Sequence, residues 1–116
     1  MQMTNKDYAV LAGKTLSAKK AQDIVIIDIQ EKASFADYFV ICSGTSERQI
    51  HTLVDEVEEA FAKEGLLVKS VEGKQSSGWI LMDFGDIIVN LFTKEMREKY
   101  SIEKIWGDCE FIEVED

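Results

Sequence analysis

The chain has 116 residues, of which 46% are hydrophobic and 30% charged, with no proline and a formal net charge of −9. That length buries about 65% of the unfolded surface, enough for one core, so residues 1–116 read as a single domain. Acids outnumber bases by 22 to 13, which argues against nucleic-acid readout by phosphate neutralisation and suits a basic partner instead.

Thr4 and Asp7 have capping-box spacing, and Tyr8, Leu11, Ala12, Thr15, Leu16 and Ala18 follow helical periodicity, predicting a first helix over Lys6–Lys19. The β-branched run Asp23–Ile29 reads as a strand, Gln30–Asp37 as a polar connector, and Tyr38–Cys42 as a second strand ending on Ser43-Gly44-Thr45-Ser46. Ser46 and Gln49 form a second capping-box pair. Ile50, Leu53, Val54, Val57 and Phe61 then fall on one stripe of a long helix that stops at Gly65. Leu67–Val71 is a third strand. Trp79–Phe84 and Asp86–Phe92 are joined through Gly85-Asp86, a hairpin signal, after the polar and flexible Lys74–Gly78 lead-in. Thr93 caps a last helical region over Lys94–Ile105, and the closing Cys109–Asp116 reads as an edge strand or a tail. The mixed order of elements, without regular βαβ repetition, predicts a mixed α+β sheet with helices packed on it.

No stretch approaches the ~20 apolar residues a membrane span requires, and Met1–Val10 lacks a signal's basic-then-apolar order, so the cytoplasm is the expected compartment. Cys42 lies in an apolar run and is expected buried and reduced. With Cys109 it makes neither a disulfide framework nor a zinc site.

Several stretches resemble chemistry and are weighed against plainer roles. Ser43–Arg48 places small residues between a strand and a helix N-terminus, where anions bind, but lacks the Gly-Lys-Ser/Thr of a P-loop. It echoes the Gly-Ser signature of nucleotidyltransferases without the paired metal-binding carboxylates that such enzymes need. A degenerate nucleotide-binding protein of that fold is therefore the alternative reading. Asp83-Phe84-Gly85-Asp86 spells the kinase DFG letters without the rest of the kinase set, and acids beside a turn commonly cap it. His51 is the one histidine, with no nucleophile motif beside it. No catalytic residue, metal site or cofactor is expected. Trp79, Phe84, Tyr100 and Trp106 are either core or interface anchors, and Trp79, next to the polar lead-in, is the closest case.

Over nearly its whole length the chain resembles the Iojap-related ribosomal silencing factor family (RsfS). The resemblance rests on the Asp23–Ile29 strand, Ala36–Ile50, Glu72-Gly73, Gly78–Phe92 and the closing Arg97, Tyr100, Glu103, Trp106 pattern, all in this order. It implies a nucleotidyltransferase-like mixed five-stranded sheet flanked by helices that has lost catalysis. It also implies binding to the large ribosomal subunit through its fourteenth protein, which blocks small-subunit joining and lowers translation when nutrients are short. The family's W-x-L-x-D-Y/F-G-D pattern falls on Trp79, Leu81, Asp83, Phe84, Gly85 and Asp86, and S-x-R/Q-Q falls on Ser46, Arg48 and Gln49. The expected partner-binding residues are Trp79, Leu81, Asp83, Phe84, Asp86, Asn90, Tyr100 and Trp106. Two departures stand out. Asn90 replaces a common histidine but keeps a hydrogen-bonding side chain, and Phe84 replaces a frequent tyrosine but keeps the ring. Trp79→Ala is expected to fold and lose binding. A homodimer off the ribosome, using the same aromatic hairpin, is the competing use of that surface.

Overall fold

The computed structural model describes residues 3–73 and 78–114. Residues 74–77 of the polar lead-in and the last two of the acidic C-terminal stretch lie outside them. The elements are α1 (Asn5–Ala18), β1 (Gln22–Asp28), β2 (Tyr38–Gly44), α2 (Glu47–Lys63), β3 (Ser70–Glu72), β4 (Trp79–Asp83), β5 (Ile87–Thr93), α3 (Lys94–Tyr100), a 3₁₀ turn (Ile102–Trp106) and β6 (Glu110–Ile112). The strands form one sheet in the order β3-β4-β5-β2-β1-β6. β2 and β5 run parallel at its centre, and every other pairing is antiparallel.

The sheet sorts apolar side chains by strand period, successive residues pointing to opposite faces. Ile26, Val40, Met82, Val89 and Leu91 face α1 and α2 and pack with Leu16, Leu53, Val57 and Phe61. Their sequence neighbours Ile27, Ile41 and Phe92 face the other way, where Trp79, Met96, Ile102 and Trp106 pack against them. That double burial explains why the central strands read as continuous apolar runs rather than as alternating ones.

The mixed α/β class is as expected, with β6 added as a sixth strand. Its antiparallel pairing with β1 (Ile26 with Ile112) resolves the C-terminal stretch as an edge strand. The α1 capping box forms, with Thr4 and Asp7 exchanging backbone-to-side-chain bonds of 2.9 and 3.1 Å. At α2 only half of the expected box forms. Ser46 Oγ accepts from Gln49 N at 3.1 Å, but Gln49 Oε1 accepts from Thr45 N at 2.6 Å instead of from the cap residue. The third strand starts later than Leu67, which is 72% exposed, because Leu66 and Val68 spend that stretch packing on the core. The last helical region is two pieces. Ser101 takes a left-handed conformation (φ 40°) that ends α3, and the chain restarts as the 3₁₀ turn.

Candidate partner-docking surface

The side chains expected to meet a partner come from β4, β5, the turn between them and the α3–3₁₀ segment, and the hairpin sets the directions of those it carries. Gly85, at φ 96°, supplies the positive φ that a two-residue turn needs. Phe84 N donates to Ile87 O at 3.0 Å across it, and Asp83 Oδ1 accepts from Gly85 N at 2.7 Å. Asp83 thus caps the turn, while exposed Asp86 uses its backbone carbonyl to accept from Asp37 N and Tyr38 N at 2.8 and 3.0 Å. The register Trp79 with Phe92, Leu81 with Asn90 and Asp83 with Ile88 puts Trp79, Leu81 and Asp83 on the face away from α1 and α2. All three are half-buried. The W-x-L-x-D spacing is therefore one face of a strand, about 13 Å long at ~3.3 Å per residue.

Trp79 sits at the α3 end of that row. Its ring stacks on Phe92 at 5.1 Å and meets Tyr100 at 5.0 Å, and its Nε1 donates to Asn90 Oδ1 at 3.1 Å. Tyr100 is 43% exposed. A surface cleft of about 270 Å³ opens here, lined by Glu72, Gly73, Trp79, Leu81, Met96 and Tyr100. Trp106 belongs to a second aromatic group on the same sheet face, edge-on to Phe39 at 5.5 Å and to Phe35 at 6.4 Å.

Two of the expected contact residues do not reach the surface. Phe84 is 2% exposed and packs on Phe61 with ring centroids 4.3 Å apart. Its side chain turns under the hairpin into the helix-covered core, so it holds the turn down and is not available to a partner. Asn90 is 1% exposed: Ile41 and Leu81 flank it in the sheet and the indole of Trp79 reaches over it. Its Nδ2 is buried with no hydrogen-bond partner among the described residues.

The closing Arg97, Tyr100, Glu103, Trp106 pattern acquires a structural reason. Arg97 Nε donates to Glu103 Oε2 at 2.6 Å and its Nη1 to Ser43 Oγ at 3.0 Å. One guanidinium thus joins α3, the 3₁₀ turn and the end of β2, holding Tyr100 over Trp79. Residue spacing did not reveal Arg97 as a clamp. Nor did it reveal Phe35, which is 57% exposed in the Gln30–Asp37 connector. Lone residues in an irregular segment carry no periodic signal.

At the Ser43–Ser46 turn, Gln49 Oε1 occupies the donors of Thr45, accepting from its N at 2.6 Å and its Oγ1 at 3.0 Å. A cap-and-turn role accounts for these residues. Among the described residues no group of three or more His, Cys, Asp or Glu side chains is placed to hold a metal ion. Burial pushes the Cys42 thiol up to about 12, against a weaker opposing pull from Arg97, which makes it inert packing. His51 is exposed on α2. No described helix is long and apolar enough to cross a membrane.

Residues 2–116 match the family described as ribosomal silencing factor during starvation. The ribosomal silencing factor of Halalkalibacterium halodurans is 34% identical over 113 residues, covering 97% of both chains. That of Bacillus subtilis is also 34% identical over 113 residues, covering 97% of this chain and 96% of its own. A crystal structure of a Chromobacterium violaceum protein superposes with a TM-score of 0.87 at 30% identity, covering 90% of this chain and 88% of that one.

Proposed function

The chain belongs to the ribosomal silencing factor family, and we propose on that basis that it binds the large ribosomal subunit through the fourteenth large-subunit protein and keeps the small subunit from joining. Silencing then works by occupancy and needs no catalytic step. The observation that carries the reading is the composite surface of Trp79, Leu81 and Tyr100, with half-buried Asp83 and exposed Asp86 at the hairpin turn. Partly buried aromatics supply desolvated contact area, the usual chemistry of an interface anchor. The aspartates and the net charge of −9 steer and orient a basic protein surface. Trp106, with Phe39 and Phe35, continues the apolar face. Phe84 and Asn90 support it from within.

Size suits the task. A body measuring 36 × 32 × 27 Å, seated on the intersubunit face, fills a bridge that the small subunit needs. We assign residues 1–116 to a single silencing-factor domain acting in the cytoplasm as a regulator rather than an enzyme.

Asp86→Lys is the sharpest probe. Its side chain is exposed and its structural bonds run through the backbone carbonyl, so the fold is retained. Purified protein should co-sediment with large and not with small subunits, and Asp86→Lys should bind more weakly, with a shallower salt dependence. Equal binding by wild type and variant would remove the acidic turn from the interface. No binding by wild type at low and moderate salt would defeat the reading.

A further inference from the structure

β5 reads Ile87-Ile88-Val89-Asn90-Leu91-Phe92, a single amide in an apolar run. Asn90 is 1% exposed, its Oδ1 accepts from Trp79 Nε1 at 3.1 Å, and its Nδ2 has no partner among the described residues. A buried amide with one end unpaired works against stability, and its bond to the half-buried indole offsets that penalty only in part. Stability alone therefore gives no account of this residue.

Its one hydrogen bond does something the surrounding rings do not. Trp79 stacks on Phe92 at 25° between planes and leans on Tyr100 at 42°. Contacts between ring faces set the plane of the indole, while its terminal side-chain torsion is intrinsically broad and roughly two-fold. A directional N–H bond at 3.1 Å selects one of those orientations and fixes which edge of the indole is turned toward the sheet. Trp79 also lines the cleft with Leu81, Met96 and Tyr100. An anchor already held in its bound orientation loses less freedom on docking, which raises affinity without adding a contact.

We infer that Asn90 is a positioning residue: it touches no partner and sets the affinity of the docking surface by locking the indole of Trp79. This rests on the docking reading above. It moves Asn90 from the set of contact residues to the layer beneath them.

The test combines Asn90→Leu, Trp79→Phe and the double variant, each read by large-subunit co-sedimentation, thermal melting and the indole N–H resonances. The chain has two tryptophans, so Trp106→Phe assigns the two indole signals. Asn90→Leu should shift the Trp79 indole N–H alone and raise the Kd for large subunits about tenfold. Its Tm should change by no more than about 4 °C, because loss of the unpaired Nδ2 offsets loss of the acceptor. The double variant should bind no more weakly than the worse single variant, because both changes remove the same bond. An unmoved Trp79 indole resonance, unchanged affinity in Asn90→Leu, or fully additive losses in the double variant would each overturn the role of Asn90. A drop in affinity that only tracks a drop in Tm would also overturn it, as a merely structural effect. Failure of the wild type to bind at all would instead defeat the docking reading itself, so the two failures are separable.

Discussion

Replacing Arg97 with alanine removes far more than a surface charge. The guanidinium bonds Glu103 Oε2 at 2.6 Å and Ser43 Oγ at 3.0 Å from a side chain that is only 11% exposed. Glu103 is 24% exposed, and its second oxygen already lacks a partner among the described residues. Truncation therefore strips that carboxylate of its ion pair. A hydrogen bond to a charged group contributes about 1.5–3 kcal/mol, and the bond to buried Ser43 about 1 kcal/mol. Water reaching the partly exposed glutamate recovers some of this. The expected net loss is about 3 kcal/mol, roughly 10 °C in Tm for a domain of this size, read from urea and thermal melts. A double-mutant cycle with Glu103→Gln should give a coupling of about 1–2 kcal/mol. Coupling below about 0.3 kcal/mol would make the contact an ordinary solvated ion pair and refute the claim that it clamps α3. Since α3 carries Tyr100 against Trp79 at 5.0 Å, Arg97→Ala should also bind large subunits more weakly at temperatures where it is fully folded.

Three further perturbations test other parts of the fold. Lys20 follows the C-cap of α1 at φ 68°, with Ala21 N donating back to Leu16 O at 2.9 Å. Glycine is the residue suited to that position, so Lys20→Gly should stabilise by about 1 kcal/mol, seen as a higher urea midpoint at constant m. Phe84→Ala should destabilise by about 3–4 kcal/mol, since the ring is 2% exposed against Phe61. A neutral result would return Phe84 to the surface. Cys42 has its thiol raised from 9.0 to about 12 by burial. The unfolded chain therefore releases that proton first, and stability falls as pH rises through that window by up to about 1.4 kcal/mol per unit. Alkaline melts of Cys42→Ala should lack this component, and in the native wild type a thiol reagent should modify half-buried Cys109 well before Cys42.

The elements most legible in the sequence were those in which burial and local chemistry agree. The α2 stripe from Ile50 to Phe61 lies against the sheet as its period demands, and Gly85 turns the hairpin where Gly-Asp marks it. The faces of the central strands were not legible, because both are covered and an unbroken apolar run carries no alternation. Phe84 lies beyond β4 at the start of the turn, where strand period no longer sets a side chain's direction. It could therefore be taken for a contact residue while it packs on Phe61. Trp79, weighed as core or anchor, is half-buried and packed. With Phe92, Tyr100 and Asn90 all leaning on it, Trp79→Ala disturbs the fold as well as the surface, and Asp86→Lys separates the two more cleanly. The break at Ser101 was hidden because its left-handed backbone occurs at a residue type that does not advertise it. The Arg97 clamp was hidden because its partners, Ser43 and Glu103, come together only through tertiary structure.

The most direct test of the central claim is an order-of-addition subunit-joining assay followed by light scattering. If the protein silences by occupying the intersubunit face, preloading purified large subunits with it should lower the yield of joined ribosomes in proportion to occupancy. Asp86→Lys should restore joining in step with its weaker binding, and the protein added to isolated small subunits should have no effect. Full joining on large subunits shown by co-sedimentation to be saturated with the protein would contradict steric silencing, whatever else the protein binds.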